Sequence, residues 1–310
     1  MLVLIAVATS VVGQEIRRKP MRAAAPQLNA QEFEGVFFSD VQKQLVGKPP
    51  TAIELANPAS TTGSSASTPG SSDSASGSGS NVWKDRISPQ SVEDLVKEGK
   101  RRLETFVTTP VKFSGGSYKD VRREFTLQAI LFATIELYPE KIRWQPSASI
   151  ARSRFARMAA NAKVATTPAY NEAKLRMEDL ATLLKGSPLS DSVPPSELNW
   201  SEVSDRVPSM QLLDWALREN LNRFVASEAE FKSHPDEIAM YAELVALIGE
   251  TLHQPGMSDA DDAEYKTWNS TMLQEAKRVS ESVKLNNPMM AREAAGQIDK
   301  ACNSCHNTFR

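Results

Sequence analysis

Glycine, proline and strand-type runs are sparse in the second half of this 310-residue chain, where Ala, Leu, Glu, Lys and Met abound. That balance favours an all-α fold. An excess of one charge is also missing: 36 Lys and Arg stand against 38 Asp and Glu, a formal net of −2. With no basic block, nothing points to a nucleic-acid partner. The apolar opening MLVLIAVATSVVG, residues 1–13, is too short to span a bilayer. No carboxylate pair, Ser-His-Asp set or phosphate loop argues for an enzyme. Cysteine is scarcest of all. The chain has two, Cys302 and Cys305, and three histidines, His234, His253 and His306; neither type occurs before residue 234.

What is present is concentrated in the last nine residues, Cys302-Asn303-Ser304-Cys305-His306-Asn307-Thr308-Phe309-Arg310. C-x-x-C-H is the attachment pattern of a c-type haem, and the chemistry dictates the spacing. Two thiols add across the haem's two vinyl groups, so they must lie on one side of the chain. On a helix, positions i and i+3 do so. His306 follows at i+4 from Cys302, where its imidazole can ligate the iron. Two other chemistries use such cysteines. A thioredoxin-type dithiol follows a strand and opens a helix, whereas this pair closes a long helical stretch. A zinc site needs four ligands, and His234 and His253 are too isolated to complete one. Haem is the reading that fits.

The run C-x-x-C-H-x-x-F-R at the end of a last helix resembles the cytochrome c′ and cytochrome c556 family, over about the last hundred residues. The motif is specific at the haem end and diffuse elsewhere. The resemblance implies a four-helix bundle with one covalent haem c at the end of its fourth helix. It assigns Cys302 and Cys305 to the thioethers and His306 to the proximal iron ligand. It assigns Phe309 to packing on the haem and Arg310 to a haem propionate. Relatives pair through their first two helices, so homodimers belong to the expectation.

Taken in order, residues 1–13 look like the apolar part of an export signal, with small residues before a cut at Gln14, although a positive n-region is missing. Export agrees with haem attachment outside the cytoplasmic membrane and predicts a periplasmic protein. Residues 14–82 read as a mostly disordered region. Gln31 to Gly47 forms one marginal amphipathic helix, and the Ser/Gly-rich tract from Pro58 to Ser80 cannot bury enough surface to offset its ordering entropy. After Trp83 the chain becomes helical and repeats itself. Leu103-x-x-Phe106-Val107 with Phe113 recurs as Leu221-x-x-Phe224-Val225 with Phe231, and Leu131–Ile135 recurs as Leu244–Ile248. So long a period predicts duplicated domains: two tandem up-down-up-down four-helix bundles, residues 83–195 without haem and 196–310 with it.

In the second half, helices are expected near Ser209–Ala229, Pro235–Leu252 and Asp261–Val283. A last helix opens with Asn287 as N-cap and Pro288 at N1. In the first half, the fourth helix is expected over Tyr170–Lys185, and Pro194-Pro195 marks the boundary.

Topology limits the far side of the iron. Met240, at the start of its helix, lies at the wrong end; Met210, and after it His253 and Met257, lie at the right one. Met210 is the candidate distal ligand, and a Met–His iron suits electron transfer. A vacant site under Leu213 or Leu217 would suit a small gas such as NO or CO. The reading is therefore an exported electron carrier serving an unknown redox partner. A gas-binding or sensing protein is the alternative, and a haem-bearing structural or adaptor module a second. The haemless copy could stand in for the partner of a dimer.

Overall fold

The computed structural model describes residues 79–190 and 196–309. The expected export signal, the segment at 31–47, the Ser/Gly tract as far as residue 78, the Pro194-Pro195 boundary and Arg310 lie outside them. Among the described residues there is no strand. The main helices are α1 (Gly79–Arg86), α2 (Pro89–Phe106), α3 (Tyr118–Leu137), α4 (Ala148–Asn161), α5 (Thr167–Leu184), α6 (Arg206–Asp214), α7 (Pro235–Leu252), α8 (Ala263–Lys284) and α9 (Pro288–Thr308). The all-α expectation holds.

Local chemistry sets the helix ends. Ser88, Thr166 and Asn287 each accept a backbone N–H three residues on, with proline in the first turn that follows. Asp262 caps α8 by accepting from both Glu264 and Tyr265. A side-chain oxygen at such a position satisfies a donor the helix leaves unpaired. Between α8 and α9 the chain turns at Asn286, whose φ of 48° lies in the left-handed region that Asn tolerates.

Two boundaries differ from the sequence reading. The chain is already helical at Gly79, inside the stretch read as linker. The helix expected over Ser209–Ala229 starts earlier, at Arg206, and does not run through. α6 widens into a π-helical turn at Trp215–Leu221, resumes over Asn222–Phe224 and stops; a short helix, Glu228–Ser233, follows.

The two halves share this local ending. After α2, Thr109 caps a one-turn helix (Pro110–Lys112) and Phe113 is buried. After α6, Ser227 caps Glu228–Ser233 and Phe231 is buried.

α3 and α7 are buried almost all round: every residue from Glu124 to Ile135 is buried, as is every residue from Leu244 to Leu252. A helix apolar on all sides needs neighbours on all sides. α3 packs against α2, α4, α1 and α6, and α7 packs against α8, α6 and its wide turn, and α1. Residues of both halves thus fall in one compact unit. Its seam carries Trp83 stacked on Trp200 at 4.9 Å between ring centroids. Ser88 donates through N–H and Oγ to the Glu243 carboxylate, and Arg86 pairs with Glu250 at 2.9 Å. Arg102 holds the buried Glu124 at 2.8 and 3.1 Å while its guanidinium lies 4.7 Å from the Trp215 ring.

Candidate functional site

α9 runs unbroken through the terminal motif and closes with the Phe309 N–H bonded to the Cys305 carbonyl at 2.8 Å. Cys302, Cys305 and His306 therefore occupy its last two turns at helical spacing. Ile298 and Ala301, one turn earlier, are buried; both cysteines are half-buried and His306 is exposed. The cysteines are free thiols.

All three residues open on one cavity with about 740 Å³ of empty space, counting its open mouth. Four helices build it. α9 supplies the two thiols and the imidazole, and α6 with its wide turn supplies Met210, Leu213, Asp214, Leu217 and Arg218. Val245 and Leu252 come from α7, and Tyr265, Trp268, Asn269 and Met272 from α8. The wall is mostly hydrocarbon and aromatic. Charge enters at one side only, where Arg218 lies 3.1 Å from Asp214 and 3.6 Å from Asp299.

The environment decides between the chemistries a C-x-x-C pair can perform. Burial pushes the Cys302 thiol up to about 11, Asp299 adds to the shift and Arg218 opposes it. Burial raises Cys305 too. A reactive dithiol needs the opposite, a depressed pKa. Zinc fares no better. Among the described residues there is no group of three or more His, Cys, Asp or Glu side chains placed to hold a metal ion. His234 lies against Phe224 with the rings tilted, 4.6 Å between centroids, and is not in the cavity wall.

The other expected residues are placed as follows. Met210 lines the cavity beside Leu213 and Leu217. His253 and Met257 are not in its wall, and Met240 lines a separate groove with residues of α2. Phe309 packs edge-on against Tyr265 at 5.4 Å and lines the mouth. Burial pushes the Tyr265 hydroxyl up to about 12, while the Arg206 guanidinium, 5.6 Å from its ring, opposes the shift. Asp214, Arg218 and Arg206 escaped the sequence reading because it followed only the apolar stripe of α6; Asp214 and Arg218 each flank that stripe by one residue.

No family model matches the chain, and no curated protein or solved structure does either.

Proposed function

We propose that this chain is an exported c-type cytochrome of the cytochrome c′ and c556 kind, carrying one covalent haem c and passing single electrons to a redox partner outside the cytoplasm. It is a carrier rather than an enzyme. One observation carries the reading: two thiols and an imidazole, at the spacing a c-type haem requires, open together on one apolar cavity among four helices. The donor set fits the group in kind and number. Bound there, haem c supplies a one-electron ferric–ferrous couple.

The chain's own residues do the rest. Cys302 and Cys305 would carry the thioethers and His306 would ligate the iron, with Phe309 beside them at the mouth; the family resemblance would assign Arg310 to a propionate. Leu213, Leu217, Val245 and Leu252 give the cavity a hydrocarbon wall, and a less polar surround strengthens charge interactions beside it. Cys302→Ala with Cys305→Ala abolishes covalent attachment. Haem that survives acidic acetone extraction of that double variant overturns the assignment.

A second reading rests on a specific observation. Met210 shares its wall with Leu213 and Leu217, whose hydrocarbon side chains offer an iron no ligand. A weakly ligated or vacant sixth position there suits a small gas such as NO or CO. CO added to the reduced protein separates the two. If wild type is inert and Met210→Ala binds CO, Met210 is the ligand and the carrier reading gains. If both bind alike, gas binding gains.

In this reading α2–α5 and α6–α9 are tandem four-helix copies, the first without haem. The matched Thr109 and Ser227 caps and the buried Phe113 and Phe231 support it. The packing of α3 on α6 and of α1 on α7 supports a monomer in which the haemless copy takes the place of a dimer partner. A structural or adaptor role for the haem-bearing module is the remaining reading.

A further inference from the structure

Beside the cavity lies a second hollow that shares part of its wall, and there the first half of the chain comes in. Met210, Asp214 and His306 line both spaces; Lys119 and Arg123 of α3 line only the outer one, with Arg206 beside them. The approach is fixed by ion pairs: Asp205, immediately before α6, is held by Arg122 of α3 at 2.8 Å and by Lys163 at 2.9 Å.

We propose that Lys119 and Arg123 are carboxylate-binding residues for the haem propionates, so that the haem site is built from both halves of the chain. This rests on the haem reading of the terminal motif. Two propionates bring two negative charges that an apolar cavity cannot hold unpaired, so they must leave it where cations have capacity to spare. Arg218 already lies between Asp214 and Asp299, and Arg206 pairs with Asp259. Acids line the outer hollow as well: Asp120, Asp214 and Glu219. Asp214 is taken by Arg218, and Asp120 by Arg123 at 3.2 Å, which engages one part of a five-donor guanidinium. Lys119 has no carboxylate within ion-pair distance among the described residues, and its ammonium stands 5.9 Å from the Tyr118 ring. The lining cations with donors to spare, Lys119 and Arg123, thus belong to the half that has no haem, and Glu219 is the one lining acid without an ion pair among the described residues.

The test uses the full chain matured with haem. Its midpoint potential is followed against pH in wild type, in Lys119→Gln with Arg123→Gln, and in Arg101→Gln, which removes an exposed cation of α2 outside the mouth. Nearby cations favour ionised propionates and the less positive, ferrous iron. The double variant is therefore expected to keep its thioether-linked haem, to show a lowered potential, and to show its propionate titration shifted to higher pH. Arg101→Gln leaves both readings in place, and Lys119→Arg with Arg123→Lys restores them. Haem attached with potential and titration unmoved in the double variant overturns this inference alone. A wild type that takes up no thioether-linked haem overturns the haem reading and this inference with it.

Discussion

Cys302 and Cys305 sit at the negative end of the α9 dipole as well as in an apolar wall, and both settings favour thiol over thiolate. Such sulfurs suit a permanent covalent link better than exchange. His253 shows what a titratable group does when it does not serve the site. It follows α7, half-buried, with its Nε2 lacking a hydrogen-bond partner among the described residues. Burial lowers its pKa, with Glu250 opposing and Lys266 and Arg86 nearby. A depressed folded pKa means stability that is present above the unfolded value, about 6.5, and lost as pH falls below it. Denaturant midpoints should fall between about pH 7.5 and 5.5 in wild type and fall less in His253→Gln. An equal fall in both would show that this histidine is not the group responsible. That Cys302, Cys305 and His306 share one end of one helix was legible from their spacing alone. Lys119 and Arg123 were not, because only folding brings residues so far apart in sequence to one mouth.

The wide turn that follows α6 coincides with a run of evenly spaced leucines. Leu213, Leu217 and Leu221 are spaced in steps of four, and each such step advances an α-helix about 40° past a full turn. A π-helical turn takes up that drift and keeps Leu213 and Leu217 on the cavity wall. Steps of four and three read alike as one helical stripe, so the sequence reading placed a continuous helix there. The spacing alone does not foretell the turn, since Leu244, Ile248 and Leu252 repeat it within the regular α7. Phe113 and Phe231, by contrast, were paired by spacing alone, and both are buried, Phe113 just after the short helix Pro110–Lys112 and Phe231 within Glu228–Ser233. Truncating a buried Phe to Ala typically costs about 3–5 kcal/mol. Phe113→Ala and Phe231→Ala should each fall in that range by chemical denaturation. A loss well under about 1 kcal/mol at either site would remove it from the core.

At the scale of the whole molecule, α3 and α7 are the central helices, and each is covered in part by the other half of the chain. Their apolar runs, Leu131–Ile135 and Leu244–Ile248, showed that they were core elements and gave no sign of which neighbours would cover them. A run apolar on every side specifies burial without specifying the partner. α1 was hidden for another reason: it starts within Gly/Ser composition, yet places Trp83 and Arg86 on the seam. The seam joins the first half of the chain to the half that holds the cavity. The claim on which all of this rests is the covalent haem itself. The most direct measurement is the intact mass of the full chain produced with a c-type maturation system, followed by peptide mapping. The account predicts a gain of one haem, carried by the peptide that contains Cys302 and Cys305. An unmodified chain, or haem that leaves the polypeptide on denaturation, would contradict it.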